Sequence, residues 1–210
     1  MYSFNSKLKT MLRHLPNILT FGRLVLSVIF LVMIFFEPRL EGDTSLYLDA
    51  AFALFVIAGL TDMVDGAIAR KLNIASKFGR IVDPLADKIL ICGAFVVFAI
   101  IGQPKLFNLS NKQLAAIQWG FAMVIIAREA FVTFLRHYSE SRGIKFPATL
   151  SGKLKMFCQA FAVGTVIIKM AHVQTPLWGQ MFTAITYIVT ILITIISGFL
   201  SIRKIRPAQL

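Results

Sequence analysis

Long apolar runs alternate with short polar stretches along the whole chain. At roughly 20 apolar residues per crossing, this pattern predicts six spans, over 16–36, 46–70, 80–101, 114–137, 150–171 and 178–202. Pro16 suits the first helical turn of the first span, where a fixed φ and a missing N–H cost nothing. Gly42-Asp43, Gly102-Gln103-Pro104 and Thr175-Pro176 mark turns at one end of the spans. The polar alternation that a barrel strand needs is missing. Ahead of the first span, Lys7, Lys9, Arg13 and His14 interleave with Phe4, Leu8, Met11 and Leu12. That mix predicts a short amphipathic helix on the membrane surface. A cleaved signal is not expected, because the first run ends in Phe35-Phe36-Glu37-Pro38 without a small-residue cleavage site. The expected fold class is all-α integral membrane, a six-transmembrane-helix bundle preceded by an interfacial helix. Residues 1–15 form the cytoplasmic juxtamembrane segment, and 16–210 a single domain.

Composition agrees, with 57 % hydrophobic residues in a chain of 210. The net charge of +12 would point to nucleic acid in a soluble chain. In a membrane chain, basic residues collect in cytoplasmic loops, so no nucleic-acid partner is expected. Of the 22 Lys and Arg residues, only Arg39, Lys105, Lys112 and Lys169 fall on the side away from the amino terminus. Both termini are therefore expected in the cytoplasm, in a multi-pass protein of the cell membrane. Cys92 and Cys158 sit in apolar runs without a CxxC spacing and read as packing residues.

One stretch does not fit a hydrocarbon environment. Asp62, Asp65, Asp83 and Asp87 lie at the cytoplasmic ends of spans two and three. Carboxylates in or near a bilayer are costly and mark functional sites. Asp62 and Asp65 share a helix face, as do Asp83 and Asp87 on the next helix. The chain between them is long enough to turn, so the two pairs can point at one place. An all-oxygen set with no Cys or His selects a hard cation such as Mg²⁺, Mn²⁺ or Ca²⁺. Four carboxylates match the charge of two such ions, the arrangement of a two-metal phosphoryl-transfer site. Gly66 removes a side chain where a ligand would approach backbone. Arg70 is two turns from Asp62 and suits a phosphate. Gly79 allows a second close approach, and Pro84 is expected to loosen the turn around Asp83.

The pattern Asp62-x₂-Asp65-Gly66-x₂-Ala69-Arg70-x₈-Gly79-x₃-Asp83-x₃-Asp87 resembles, at every defined position, the signature of the CDP-alcohol phosphotransferase family. The resemblance implies an integral membrane enzyme, a homodimer of six-span protomers, that moves a phosphatidyl group from a CDP-linked lipid to an alcohol and releases CMP. By matching position it implies that Asp62, Asp65, Asp83 and Asp87 hold two divalent ions, Mg²⁺ or Mn²⁺. It also implies that Gly66, Arg70 and Gly79 contact the CDP part and that Asp87 is the general base.

The likeness continues outside the signature. Pro16-Asn17-x₂-Thr20-x₂-Arg23 resembles the opening of the family branch that uses glycerol 3-phosphate, with Asn17 and Thr20 on one face, able to reach the CDP-diacylglycerol nucleotide. Arg128-Glu129, Arg136 and Gly152-Lys153-Leu154-Lys155 resemble the same branch. Several cations beside a carboxylate site need an anionic partner, and a phosphate on the acceptor supplies one. Arg128, Arg136 and Lys153 are thus the expected glycerol 3-phosphate residues, with Glu129 orienting the cations. Two other readings compete: a sister enzyme whose acceptor is phosphatidylglycerol, and a divalent-cation transporter. A transporter would want acids at the midplane on broken helices. His14 and His172 have no chemical context in the sequence.

Overall fold

The computed structural model describes residues 20–72, 77–107, 109–143 and 150–203, and every regular element among them is helical. Helix α1 covers 20–36 and runs into a 3-10 turn, Glu37–Arg39. It is followed by α2 (Ser45–Leu72), α3 (Lys77–Ile101), α4 (Asn111–Ser141), α5 (Leu150–His172) and α6 (Leu177–Arg203). Thr20–Arg39, Asn111–Ser139, Ser151–His172 and Leu177–Ile202 are each long and apolar enough to cross a membrane, and Ser45–Thr61 is a shorter apolar helix. The protein is a multi-pass membrane protein, all-helical among its described residues. The amphipathic segment over 4–14, with Pro16 and Asn17, lies outside the described residues.

Helix ends overrun the apolar runs that predicted them. α4 begins at Asn111 and ends at Ser141, because a helix keeps its hydrogen bonds beyond the point where its side chains turn polar. α3 is continuous past Pro84, so the expected loosening does not interrupt the helix. At the end of α3, Gly102 takes φ +73° and Gln103 N–H donates to the Phe98 carbonyl at 2.9 Å. A left-handed glycine with that bond is a Schellman cap. Before α2, the Asp43 carboxylate accepts the Ser45 N–H at 2.9 Å. That backbone bond holds Asp43 below the usual carboxylate range.

Side-chain contacts set the helix directions. Tyr47 donates to the Met33 carbonyl at 3.1 Å and the Phe30 and Phe55 rings lie 5.3 Å apart, so α1 and α2 are antiparallel. Arg23 meets Asp87 and Leu31 meets Gly93, which makes α1 and α3 parallel. Lys88 bonds Thr133 while Phe95 packs on Phe121, an antiparallel α3–α4 pair. Thr190 donates to the Cys158 carbonyl and Phe182 packs on Phe161, so α5 and α6 are antiparallel too. One end of the bundle therefore gathers the starts of α1, α3 and α5 and the ends of α2, α4 and α6.

The core centres on Phe30, Phe55, Phe95, Phe98, Phe121 and Tyr187, with Phe121 and Tyr187 stacked at 3.9 Å. Hydrocarbon chains give apolar side chains no reason to leave them, so helices in lipid associate through close packing and hydrogen bonds. α6 shows how. Thr183, Thr186, Thr190, Thr194, Ser197 and Ser201 are buried along one stripe, at the three- and four-residue spacing of one face. Thr183, Thr186 and Ser201 return their protons to carbonyls one turn back. Its other face exposes Met181, Ile185, Ile188, Leu192 and Ile196, which suits lipid. Of the aromatics on α3 and α4, Phe95 and Phe98 are buried and Phe131 and Phe134 exposed. Cys92 and Cys158 are free thiols, both half-buried.

Candidate active site

The acids of the signature ride on two consecutive helices. Asp62, Asp65, Gly66 and Arg70 belong to the last turns of α2, and Gly79, Asp83 and Asp87 to the first turns of α3. The side chains of residues 62–84 lie outside the described residues, so the convergence expected of Asp62, Asp65 and Asp83 falls there too. α2 and α3 pack against each other and reach the end of the bundle defined above. Among the described residues, no group of His, Cys, Asp and Glu could by itself hold a metal ion.

Asp87 is described, and it has a partner that motif reading passed over. Arg23 of α1, 1 % exposed, donates from Nη1 to Asp87 Oδ1 at 3.1 Å. Arg23 entered the sequence argument only as a motif position. A cation well inside an apolar run was the available signal, since such a residue must find a carboxylate or water. Thr20, one turn earlier on α1, is buried as well.

A second polar cluster sits at the same end. Arg128 Nη1 donates to Glu129 Oε1 at 3.1 Å, and Lys155 Nζ donates to the same oxygen. Their side chains are 11 %, 17 % and 6 % exposed for Arg128, Glu129 and Lys155, so this is an ion-paired cluster between helices. Glu129 orients cations, as the sequence suggested, but the lysine it holds is Lys155. Lys153 and Arg136 are exposed. Residues two apart on a helix do not share a face, so Lys153 and Lys155 cannot serve one cluster equally. Gly198 of α6 faces the cluster, where an added Cβ would make an ordinary van der Waals contact with Arg128 Cγ at 3.6 Å.

Lys88, next to Asp87 in the chain, joins α3 to α4. Its Nζ donates to Thr133 Oγ1 at 2.7 Å, and that hydroxyl donates to the Glu129 carbonyl at 2.7 Å. The Arg23–Asp87 pair and the Arg128–Glu129–Lys155 cluster thus lie at one end of the bundle, with α3 and α4 hydrogen-bonded to each other between them. Such a pairing suits chemistry that joins two anionic reactants. An apolar cavity of about 430 Å³ between α2, α5 and α6, lined by Phe52, Phe55, Phe161, Trp178 and Phe182, touches none of these residues. His172, without context in the sequence, meets Asp49 at 2.8 Å, also away from the site.

Known proteins are similar to this chain in sequence. A family profile described as CDP-alcohol phosphatidyltransferase matches residues 13–196. The chain is 35 % identical to a probable phosphatidylglycerophosphate synthase of Mycobacterium tuberculosis over 88 % of its own length and 78 % of the relative's. It is 35 % identical to a CDP-diacylglycerol–glycerol-3-phosphate 3-phosphatidyltransferase of Bacillus subtilis, over 89 % and 92 % of the two chains. A protein of Rickettsia typhi with that same description is 31 % identical over 75 % and 78 %. With the profile spanning nearly all of the described helices and the acidic signature complete, the chain belongs to the CDP-alcohol phosphatidyltransferase family.

Proposed function

We propose that this chain transfers the phosphatidyl group of CDP-diacylglycerol to glycerol 3-phosphate, giving phosphatidylglycerol phosphate and CMP. The observation that carries this reading is the gathering of Arg128, Lys155 and Lys88 around Glu129 and Thr133, at the end of the bundle that also holds Asp87. A phosphorylated acceptor needs such charge beside the reacting centre, whereas an uncharged alcohol does not. The relatives in Bacillus subtilis and Rickettsia typhi, described by this activity, support the same acceptor.

The donor set of the signature fits hard divalent cations, being carboxylate oxygen throughout. Asp62, Asp65, Asp83 and Asp87 would hold two, Mg²⁺ or Mn²⁺, which when bound would neutralise pyrophosphate charge and stabilise the leaving CMP. Arg70 grips a donor phosphate, and Gly66 and Gly79 leave space for the CDP part. Asn17 and Thr20 contact the nucleotide from the start of the first span. Arg128, Arg136 and Lys153 receive the phosphate of the acceptor. Asp87 accepts the proton of the acceptor hydroxyl as that oxygen attacks the β-phosphorus in line. A metal-bound carboxylate is a weak base, so alignment of the two substrates carries much of the rate.

The same reading includes six spans, a surface helix over the first residues, a single domain over 16–210, a homodimer, and a site facing the cytoplasm. Purified protein with CDP-diacylglycerol and Mg²⁺, offered a panel of acceptors, tests it. CMP release with glycerol 3-phosphate should exceed that with serine, inositol or phosphatidylglycerol by on the order of 100-fold or more, as for sites built around a polar group. It should also stop in EDTA. Equal rates across the panel would refute the acceptor, and release that persists in EDTA would refute the metal site.

A further inference from the structure

We propose that Arg23 is a positioning residue for Asp87, holding that carboxylate from behind in the orientation its work requires. The inference rests on the reading of Asp87 as metal ligand and base. Arg23 has no solvent exposure at its side chain, whereas the Asp87 side chain keeps 31 %. The guanidinium is thus enclosed within the bundle while part of the Asp87 side chain stays open to the outside. A buried arginine in a membrane helix is costly and persists where it has a specific task. Its planar fork constrains the plane of a carboxylate more tightly than an ammonium can.

The scaffold around the pair keeps the approach close. α1 and α3 run parallel, and beyond the pair Gly93 lets Leu31 pack directly on the α3 backbone, within 2.7 Å of where a Cβ would stand. Ser27 donates to the Arg23 carbonyl at 2.8 Å, anchoring the turn that presents the guanidinium. Carboxylates that ligate metals are commonly oriented by such outer partners, and losing one typically costs 10–100-fold in metal affinity or activity.

A plain staple between α1 and α3 would predict a loss of stability alone, so the test separates the two. Mn²⁺ binding is measured by electron paramagnetic resonance on detergent-purified protein, beside kcat, KM for glycerol 3-phosphate, and thermal unfolding without metal. Arg23→Gln should weaken Mn²⁺ binding and lower kcat, each by about 10–100-fold, with KM for glycerol 3-phosphate little changed. Arg23→Lys keeps the charge, and so the fold, but lacks the fork; it should recover the unfolding temperature and only part of the Mn²⁺ affinity. Wild-type Mn²⁺ affinity and kcat in folded Arg23→Gln, or full recovery of both in Arg23→Lys, would overturn the role. Asp87→Asn separates this inference from its premise. If it loses Mn²⁺ binding and turnover while the Arg23 variants do not, only Arg23 has been misread. If Asp87→Asn itself behaves as wild type, the reading of Asp87 fails.

Discussion

At the scale of single residues, the proposed acceptor end of the site divides into a buried framework and an exposed rim. Glu129 holds both Arg128 and Lys155, and removing one member of a buried ion cluster leaves charge uncompensated. Glu129→Ala should therefore destabilise the protein by about 3–5 kcal/mol, read as a lowered unfolding midpoint in detergent. Lys153 is exposed, and its neutralisation should stay within about 0.5 kcal/mol. As a phosphate ligand it should nonetheless raise KM for glycerol 3-phosphate when changed to Gln, by about tenfold or more for a lost charge-assisted contact. An unchanged KM in a stable Lys153→Gln would move the acceptor role to the neighbouring cations. Spacing alone could name both lysines; only the pairing with Glu129 tells them apart.

At the scale of elements, the meeting of α1 with α3 governs how Arg23 reaches Asp87. A methyl at Gly93 would come within 2.7 Å of Leu31 Cδ1, the end of a flexible side chain. Gly93→Ala should be close to neutral, because Leu31 can turn aside and alanine recovers up to about 1 kcal/mol of helix propensity. Gly93→Leu has no such escape. Overpacking there should cost about 1–3 kcal/mol, push α1 off α3, and reduce turnover along with stability. Full activity in Gly93→Leu would show that the helices need not stay this close. Positions and lengths of these helices were legible from hydropathy, because a membrane demands long apolar runs. The hydroxyl stripe of α6 was not, since Thr and Ser are tolerated on either face and only the packing of α5 against α6 chooses one.

At the scale of the molecule, the alternating helix directions put Glu41 at one end of the bundle and Ser141 at the other. The proposed topology puts the Ser141 end in the cytoplasm, as the positive-inside tendency would for the basic stretches of the sequence. Both side chains are exposed, and the native thiols of Cys92 and Cys158 are half-buried. A membrane-impermeant maleimide added to intact cells should label Glu41→Cys, and Ser141→Cys only after permeabilisation. The reverse pattern would invert the topology and put the acids on the wrong side for a soluble phosphate acceptor.

The chain by itself determined the class of the protein and the kind of reaction. Membrane helices announce themselves by length and hydropathy, and the spacing of the acids carries the likeness to the family. Tertiary structure decided which distant residues pair with Asp87 and Glu129. Arg23 stands 64 residues from Asp87, and Lys155 stands 26 from Glu129. No local periodicity relates such positions. They meet because parallel and antiparallel packing brings the same ends of α1, α3, α4 and α5 together. A buried charge in that setting must find its counter-charge across helices rather than along its own.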